Sequence, residues 1–152
     1  MGILIDNRQS RIRIASAKME MTAQAVLNAL AFPDGELSIL LVDDPRIEQL
    51  NGKYLNRQGP TNVIAFPMRE GPFGDLNPHL LGDVVISTDT AASEAQGTDI
   101  TAETRITELL IHGILHLFGY DHENDDAEAR RMEQKSDELM TVVSGLEADR
   151  TA

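Results

Sequence analysis

Three of the four histidines of this chain fall within the eleven residues His112-Gly113-Ile114-Leu115-His116-Leu117-Phe118-Gly119-Tyr120-Asp121-His122. His112 and His116 stand four positions apart, the spacing that puts two side chains on one face of a helix. His122 would leave that face if the helix continued. Gly119 lets the helix stop, because glycine takes the left-handed backbone at low cost. The chain can then turn back and bring His122 to the other two. Three neutral imidazoles around an open fourth position are the ligand set of a catalytic zinc site, so one zinc per chain is expected on His112, His116 and His122. Zinc held this way brings the pKa of a bound water to near 7, which is hydrolytic chemistry. A phosphodiester substrate would also need a group for its equatorial oxygens, and arginine fits that role by its forked geometry.

The frame is similar to the metzincin signature H-E-x-x-H-x-x-G-x-x-H but carries Gly113 where that motif has its glutamate base. The metal set survives the change; the peptidase mechanism loses its proton carrier. The flanking Leu109, Leu110, Ile111, Ile114, Leu115, Leu117 and Phe118 are apolar nearly all round, as in a buried helix.

Taken whole, HGILHLFGYDH resembles the H-G-x-L-H-L-x-G-Y-D-H signature of the YbeY proteins, bacterial zinc-dependent endoribonucleases. Two further blocks agree in order and spacing: Leu50-Asn51 with Gly59-Pro60-Thr61-Asn62-Val63-Ile64-Ala65-Phe66-Pro67, and Leu81-Gly82-Asp83-Val84-Val85-Ile86-Ser87. The resemblance implies cleavage of single-stranded RNA, 3′-end maturation of 16S ribosomal RNA and ribosome quality control. The implied partners are ribosomal RNA precursors, the small ribosomal subunit and its assembly proteins, with neither DNA nor a membrane among them. The family usually carries a functional arginine five residues before the proline of the second block, where this chain has Leu55. Arg57 is expected to take its place. Asp121 is expected to orient a ligand or receive a proton. Glu108, one turn before His112, is either a partner of that ring or an ordinary surface acid. Asp83 is either near the metal or a turn acid, and His79 reads as a surface residue. Two other readings stay open: a zinc metallopeptidase-like hydrolase, and a non-catalytic ribosome-assembly factor with structural zinc.

The elements that must position these residues follow from pattern and punctuation. Ile3–Ile5 and Ile12–Ile14 are β-leaning. Residues 18–31 have near-helical apolar spacing and end at Pro33-Asp34-Gly35. Residues 36–42 read as a strand, and Asp43-Asp44-Pro45 opens a helix to about Leu55. Residues 63–66 and 83–87 read as strands around a Gly/Pro-rich loop, 68–80. Helices are expected over 88–96, 101–118 (capped by Thr101) and 125–142, the last with Met132, Leu139, Met140 and Val143 inward. The expectation is an α+β chain, residues 1–152 as a single compact domain, with a small mixed sheet packed by helices and a His-bearing metal-site helix.

A chain of 152 residues suits one core. It has no cysteine, which excludes disulfides and thiolate metal sites and fits a reducing cytoplasm. It has no apolar run of membrane-spanning length and no secretory h-region. The net charge of −12 opposes binding to a polyanion. The acids crowd the last third of the chain. Arg8, Arg11 and Arg13 near the start, and Lys53, Arg57 and Arg69 around the second block, form either a basic side or a solvated edge. No Phe/Tyr array announces a base-stacking surface.

Overall fold

The computed structural model describes residues 2–68, 78–121 and 125–151, with side chains to residue 146. Four strands, β1 (Ile3–Asn7), β2 (Glu36–Val42), β3 (Val63–Pro67) and β4 (Leu80–Ser87), form one mixed sheet in the order β1-β2-β4-β3. β1, β2 and β4 run parallel, and β3 closes the far edge antiparallel to β4. Among the described residues five helices accompany them: α1 (Ser16–Ala29), α2 (Asp44–Leu55), α3 (Thr88–Ala95), α4 (Ala102–Leu117) and α5 (Asp126–Thr151). Among the described residues no helix is long and apolar enough to cross a membrane.

The alternation of side chains along β2 divides the molecule. Leu37, Ile39 and Leu41 are buried together with Val84 and Ile86 of β4, and this face receives α1, α4 and α5. Ser38 and Leu40 point to the other face, as do Asp83 and Val85 of β4, their partners in register. Among the described residues only α2 packs there, through Ile47 and Leu50, over a smaller cluster with Val42, Ile64 and Val85.

β4 carries one irregularity. Glu36 pairs with Leu80 and Leu37 with Gly82, so Leu81 is an extra residue in the ladder. Gly82 has φ +143, and a Cβ there would stand 2.1 Å from the Phe66 carbonyl oxygen and 3.1 Å from Leu117 Cδ2. The glycine of the third block is therefore a requirement of the bulge and of the close approach of β3 and α4.

Most expected elements are present, with three differences. Ile12–Ile14 form no strand, because the Gln9 side chain brackets Ile12, donating to its carbonyl at 2.8 Å and accepting from its N–H at 2.9 Å. Those are the groups a neighbouring strand would have used. β4 begins at Leu80 rather than Asp83, since the bulge lets pairing continue past Gly82. α5 runs 26 residues, well beyond the expected end at 142. Most of the expected 68–80 loop, including Arg69, lies outside the described residues.

Candidate metal centre and cleft

α4 is capped at its start by Thr101, whose side chain accepts from the Thr104 N–H at 3.0 Å. Its buried face (Ile106, Leu110, Ile111, Ile114, Leu115) is seated on the sheet and on α1 and α5. Gly113 explains how closely the helix is seated. A Cβ at Gly113 would stand 2.6 and 3.2 Å from the two γ-methyls of Val84 and 3.3 Å from a Val63 methyl. The position that holds glutamate in a metalloprotease is here pressed against β4, with no room for any side chain.

This seating leaves His112 and His116 half-buried on the flank of the helix. Their Nε2 atoms lie 3.0 Å apart, with ring centroids 4.6 Å apart and planes crossing at 78°. Two zinc–nitrogen bonds of about 2.05 Å at a tetrahedral angle would separate the nitrogens by about 3.3 Å. The pair therefore fits two arms of one ion with a shift of a few tenths of an ångström. The helix stops as the sequence requires. Gly119 takes φ +92, its N–H donates to His116 O at 3.0 Å, and the Tyr120 N–H donates to Leu115 O at 3.1 Å. This paired closure is a Schellman motif, and it ends the helix. Asp121, half-buried, follows directly. His122, the expected third ligand, lies outside the described residues. Among the described residues no group of three His, Cys, Asp or Glu side chains gathers for a metal.

His112 opens onto a cleft of about 410 Å³ between the α4 flank, α5 and the start of β3. Asn62 and Arg105 line it, as do Glu108 of α4 and Glu133 and Asp137 of α5. Glu108 is committed to Arg105, which it meets at 3.0 Å, and Glu94 holds the same guanidinium at 3.0 Å. Burial alone would lower the Arg105 pKa; hydrogen bonds to Glu108 and Glu94 outweigh it and hold the group above its ordinary value. Asn62 ties β3 to this network by donating to Glu94 at 3.2 Å. Arg105 and the α5 acids carry no site signal in the sequence, and Asn62 stands in the second block without anything there to tie it to Arg105. Their convergence depends on how α5 crosses α4, which no local spacing encodes.

The softer site candidates separate. Asp83 is not beside the histidines. Its neighbour Val84 faces Gly113, so the strand's alternation puts the Asp83 carboxyl on the opposite face of the sheet, hydrogen-bonded to Ser38. His79 is exposed, 6.1 Å from the Phe32 ring. Arg57 is exposed on the loop whose far end, Asn62, reaches the cleft. That loop is anchored by buried Asn51. Its carbonyl accepts from the Arg57 N–H at 3.2 Å, its amide donates to Gly59 O at 3.0 Å, and Asn56 turns left-handed at φ +54. Of the N-terminal arginines, Arg8 pairs with Asp6 and Arg11 with Asp89, so that edge is partly neutralised.

Comparison with known proteins adds to this geometry. A sequence model of the family Endoribonuclease YbeY matches residues 4–144. A Geobacter sulfurreducens protein named Endoribonuclease YbeY is 49% identical over 144 residues, 94% of this chain and 96% of that protein. One of the same name from Syntrophotalea carbinolica is 52% identical over 145 residues, covering 94% and 97%. A third, from Aquifex aeolicus, is 36% identical over 142 residues, covering 93% and 91%. A solution structure of a Thermotoga maritima protein shares the fold, with TM-score 0.67 over 97% of this chain and 93% of that one, at 24% identity. On the length and level of these matches, the chain belongs to the YbeY endoribonuclease family.

Proposed function

We propose that this chain is a single-strand-specific, zinc-dependent endoribonuclease that matures the 3′ end of 16S ribosomal RNA and serves ribosome quality control. In this reading residues 1–152 form one hydrolase domain in the cytoplasm, working with ribosomal RNA precursors, the small subunit and its assembly proteins. The observation that carries it is the convergence of His112 and His116 Nε2 at 3.0 Å beside an open cleft, in a chain of this family.

His112, His116 and His122 would hold one zinc as neutral imidazoles. When bound, the ion supplies Lewis acidity towards a phosphoryl oxygen and a water acidified to near neutrality. The chain's own residues do the rest. The apolar body of α4 keeps water from one side of the imidazoles and fixes their direction. Asp121, the residue before His122 in the chain, would orient that ring or take a proton. Arg57 is the candidate for the charge on the phosphate, carried on a loop that Asn51 holds in shape. Glu94 and Glu108 consume the charge of Arg105, and Glu133 and Asp137 add two more negative charges to the cleft wall. A polyanion therefore gains little from the cleft walls, and its docking must come from cations on the rim.

The test is a paired turnover assay on single-stranded RNA and on peptide, with and without a chelator. RNA cleavage that a chelator abolishes and zinc restores is expected, with peptide untouched. Zinc-independent binding of RNA without cleavage would refute the reading.

A further inference from the structure

On the sheet face away from the histidines lies a groove of about 490 Å³ that the chemistry above does not use. Leu40 and Val85 of the sheet and Leu50 of α2 line it, and Asp83, bonded to Ser38, lies with Asp6 on the same sheet face, which forms its floor. At the α2 rim Tyr54, 58% exposed, meets the Phe66 ring edge-on at 5.7 Å and 76°. The Lys53 ammonium stands 5.3 Å from the centre of the Tyr54 ring. This pair has no local signature, because its members lie on α2 and β3 and meet only through the fold.

We propose that this groove takes one unpaired base of a single-stranded RNA, with guanine preferred. The proposal rests on the ribonuclease reading and adds a base subsite to it. A planar, largely apolar ring fits between aliphatic walls and against an aromatic rim, the way unstacked RNA bases are held. The floor presents acceptors: Ser38 is engaged with Asp83, and the carboxyl has lone pairs to offer. Guanine answers with two adjacent donors, N1–H and the 2-amino group. Cytosine and adenine answer with one amino group. Uracil flanks its single N–H with carbonyl oxygens that would face the carboxylate. Lys53 at the rim suits the phosphate of the same nucleotide, whereas Asp6 and Asp83 within exclude a phosphate from the groove itself. Burial raises the pKa of Asp83 despite the Ser38 hydrogen bond, so the carboxylate lacks solvation that a base's donors would supply.

The experiment titrates the zinc-loaded protein with GMP and UMP while following methyl NMR signals of Leu40, Leu50 and Val85. GMP should shift these methyls and bind roughly tenfold more tightly than UMP, the discrimination expected of two good hydrogen bonds. Asp83→Asn should bring the two nucleotides near parity, and Leu40→Trp, which fills the groove, should silence both. Equal binding of GMP and UMP to the unaltered protein, or shifts by a lysine-rich peptide and by no nucleotide, would overturn the proposal. Turnover of single-stranded RNA is measured in parallel. Cleavage with unmoved groove methyls sinks the subsite alone; moved methyls without any cleavage sink the ribonuclease reading and leave the subsite standing.

Discussion

Gly113→Ala is the sharpest test of how the histidine helix is held. The added Cβ would stand 2.6 Å from Val84 Cγ1, about 1 Å inside ordinary carbon–carbon contact. Val84 is fully buried and β-branched, so its χ1 is restricted, and Val63 closes the other side at 3.3 Å. The helix must lift, at a cost of about 2–3 kcal/mol, the upper part of the range typical of overpacking, because buried branched side chains close both sides. Against this, alanine is favoured over glycine inside a helix by about 1 kcal/mol. The net expectation is a destabilisation of about 1–2 kcal/mol, or a Tm lower by about 2–8 °C for a chain of this size. Urea denaturation of four proteins measures it: the parent, Gly113→Ala, Val84→Ala and the double variant. Val84→Ala alone should cost about 2 kcal/mol by loss of buried methyls. The double variant should recover about 1–2 kcal/mol relative to the sum, since the new Cβ enters the space the valine leaves. Unchanged or increased stability in Gly113→Ala, or strict additivity in the double variant, would refute the claim that the glycine is there for the strand.

Four further outcomes are expected. His116→Ala should lose stoichiometric zinc measured by metal analysis while His79→Ala keeps it, and zinc affinity of the parent should fall as the pH drops below about 6.5, where imidazoles protonate. Arg57→Ala should lower RNA turnover roughly a hundredfold, the scale of losing one charged donor at a transition state; intact turnover would remove Arg57 from the site. Charge reversal at Lys53 or Arg57 should weaken RNA association more than reversal at Arg130 or Arg131, read from salt-dependent binding curves; equal effects would mean the basic side is elsewhere. Burial raises Asp83 above the ordinary 3.8, so its protonated form is the one the fold favours. Its contribution is present at low pH and lost as the pH rises through the raised value. Asp83→Asn should therefore melt higher than the parent at neutral pH, with the gap closing as the pH falls towards 3.8; a gap that widens on acidification would contradict this.

What could be read from the sequence was local. The strand at 36–42, the opening of α2 by Asp43 and Pro45, the Thr101 cap and the Gly119 stop each depend on a few neighbouring residues, and each stands where the pattern put it. The His112–His116 convergence is legible for the same reason, being one turn of one helix. The place of Asp83 stays open in the sequence because a block shared with a family says that a residue matters but not which side of a strand it serves; the parity of β4 decides that. The α5 wall of the cleft and the Tyr54–Phe66 pair are meetings between distant segments, whereas Arg105 joins Glu108 on its own helix to Glu94 of the preceding one. The Ile12–Ile14 run misled for a different cause: Gln9, three residues away, supplies the hydrogen bonds that β-propensity assumes will come from a strand.

Gly113 against Val84 and Leu117 against Gly82 are two contacts between the same helix and the same strand, running in opposite directions. Four residues of helix rise about 6 Å, and two residues of strand advance about 6.6 Å. The two repeats are nearly commensurate, so α4 and β4 mesh like a short rack and pinion with a hollow where each meets a bulky partner. Slipping by one tooth would bring Leu109 or Leu117 onto Val84, where no hollow exists. His112 and His116 each sit one residue before a meshing position, 113 and 117, and so repeat with the same step. The axial position of the imidazole pair is thus indexed by the gearing of helix to strand. A metal bound there would meet ligands whose height along the helix has been set in advance by residues that never touch it.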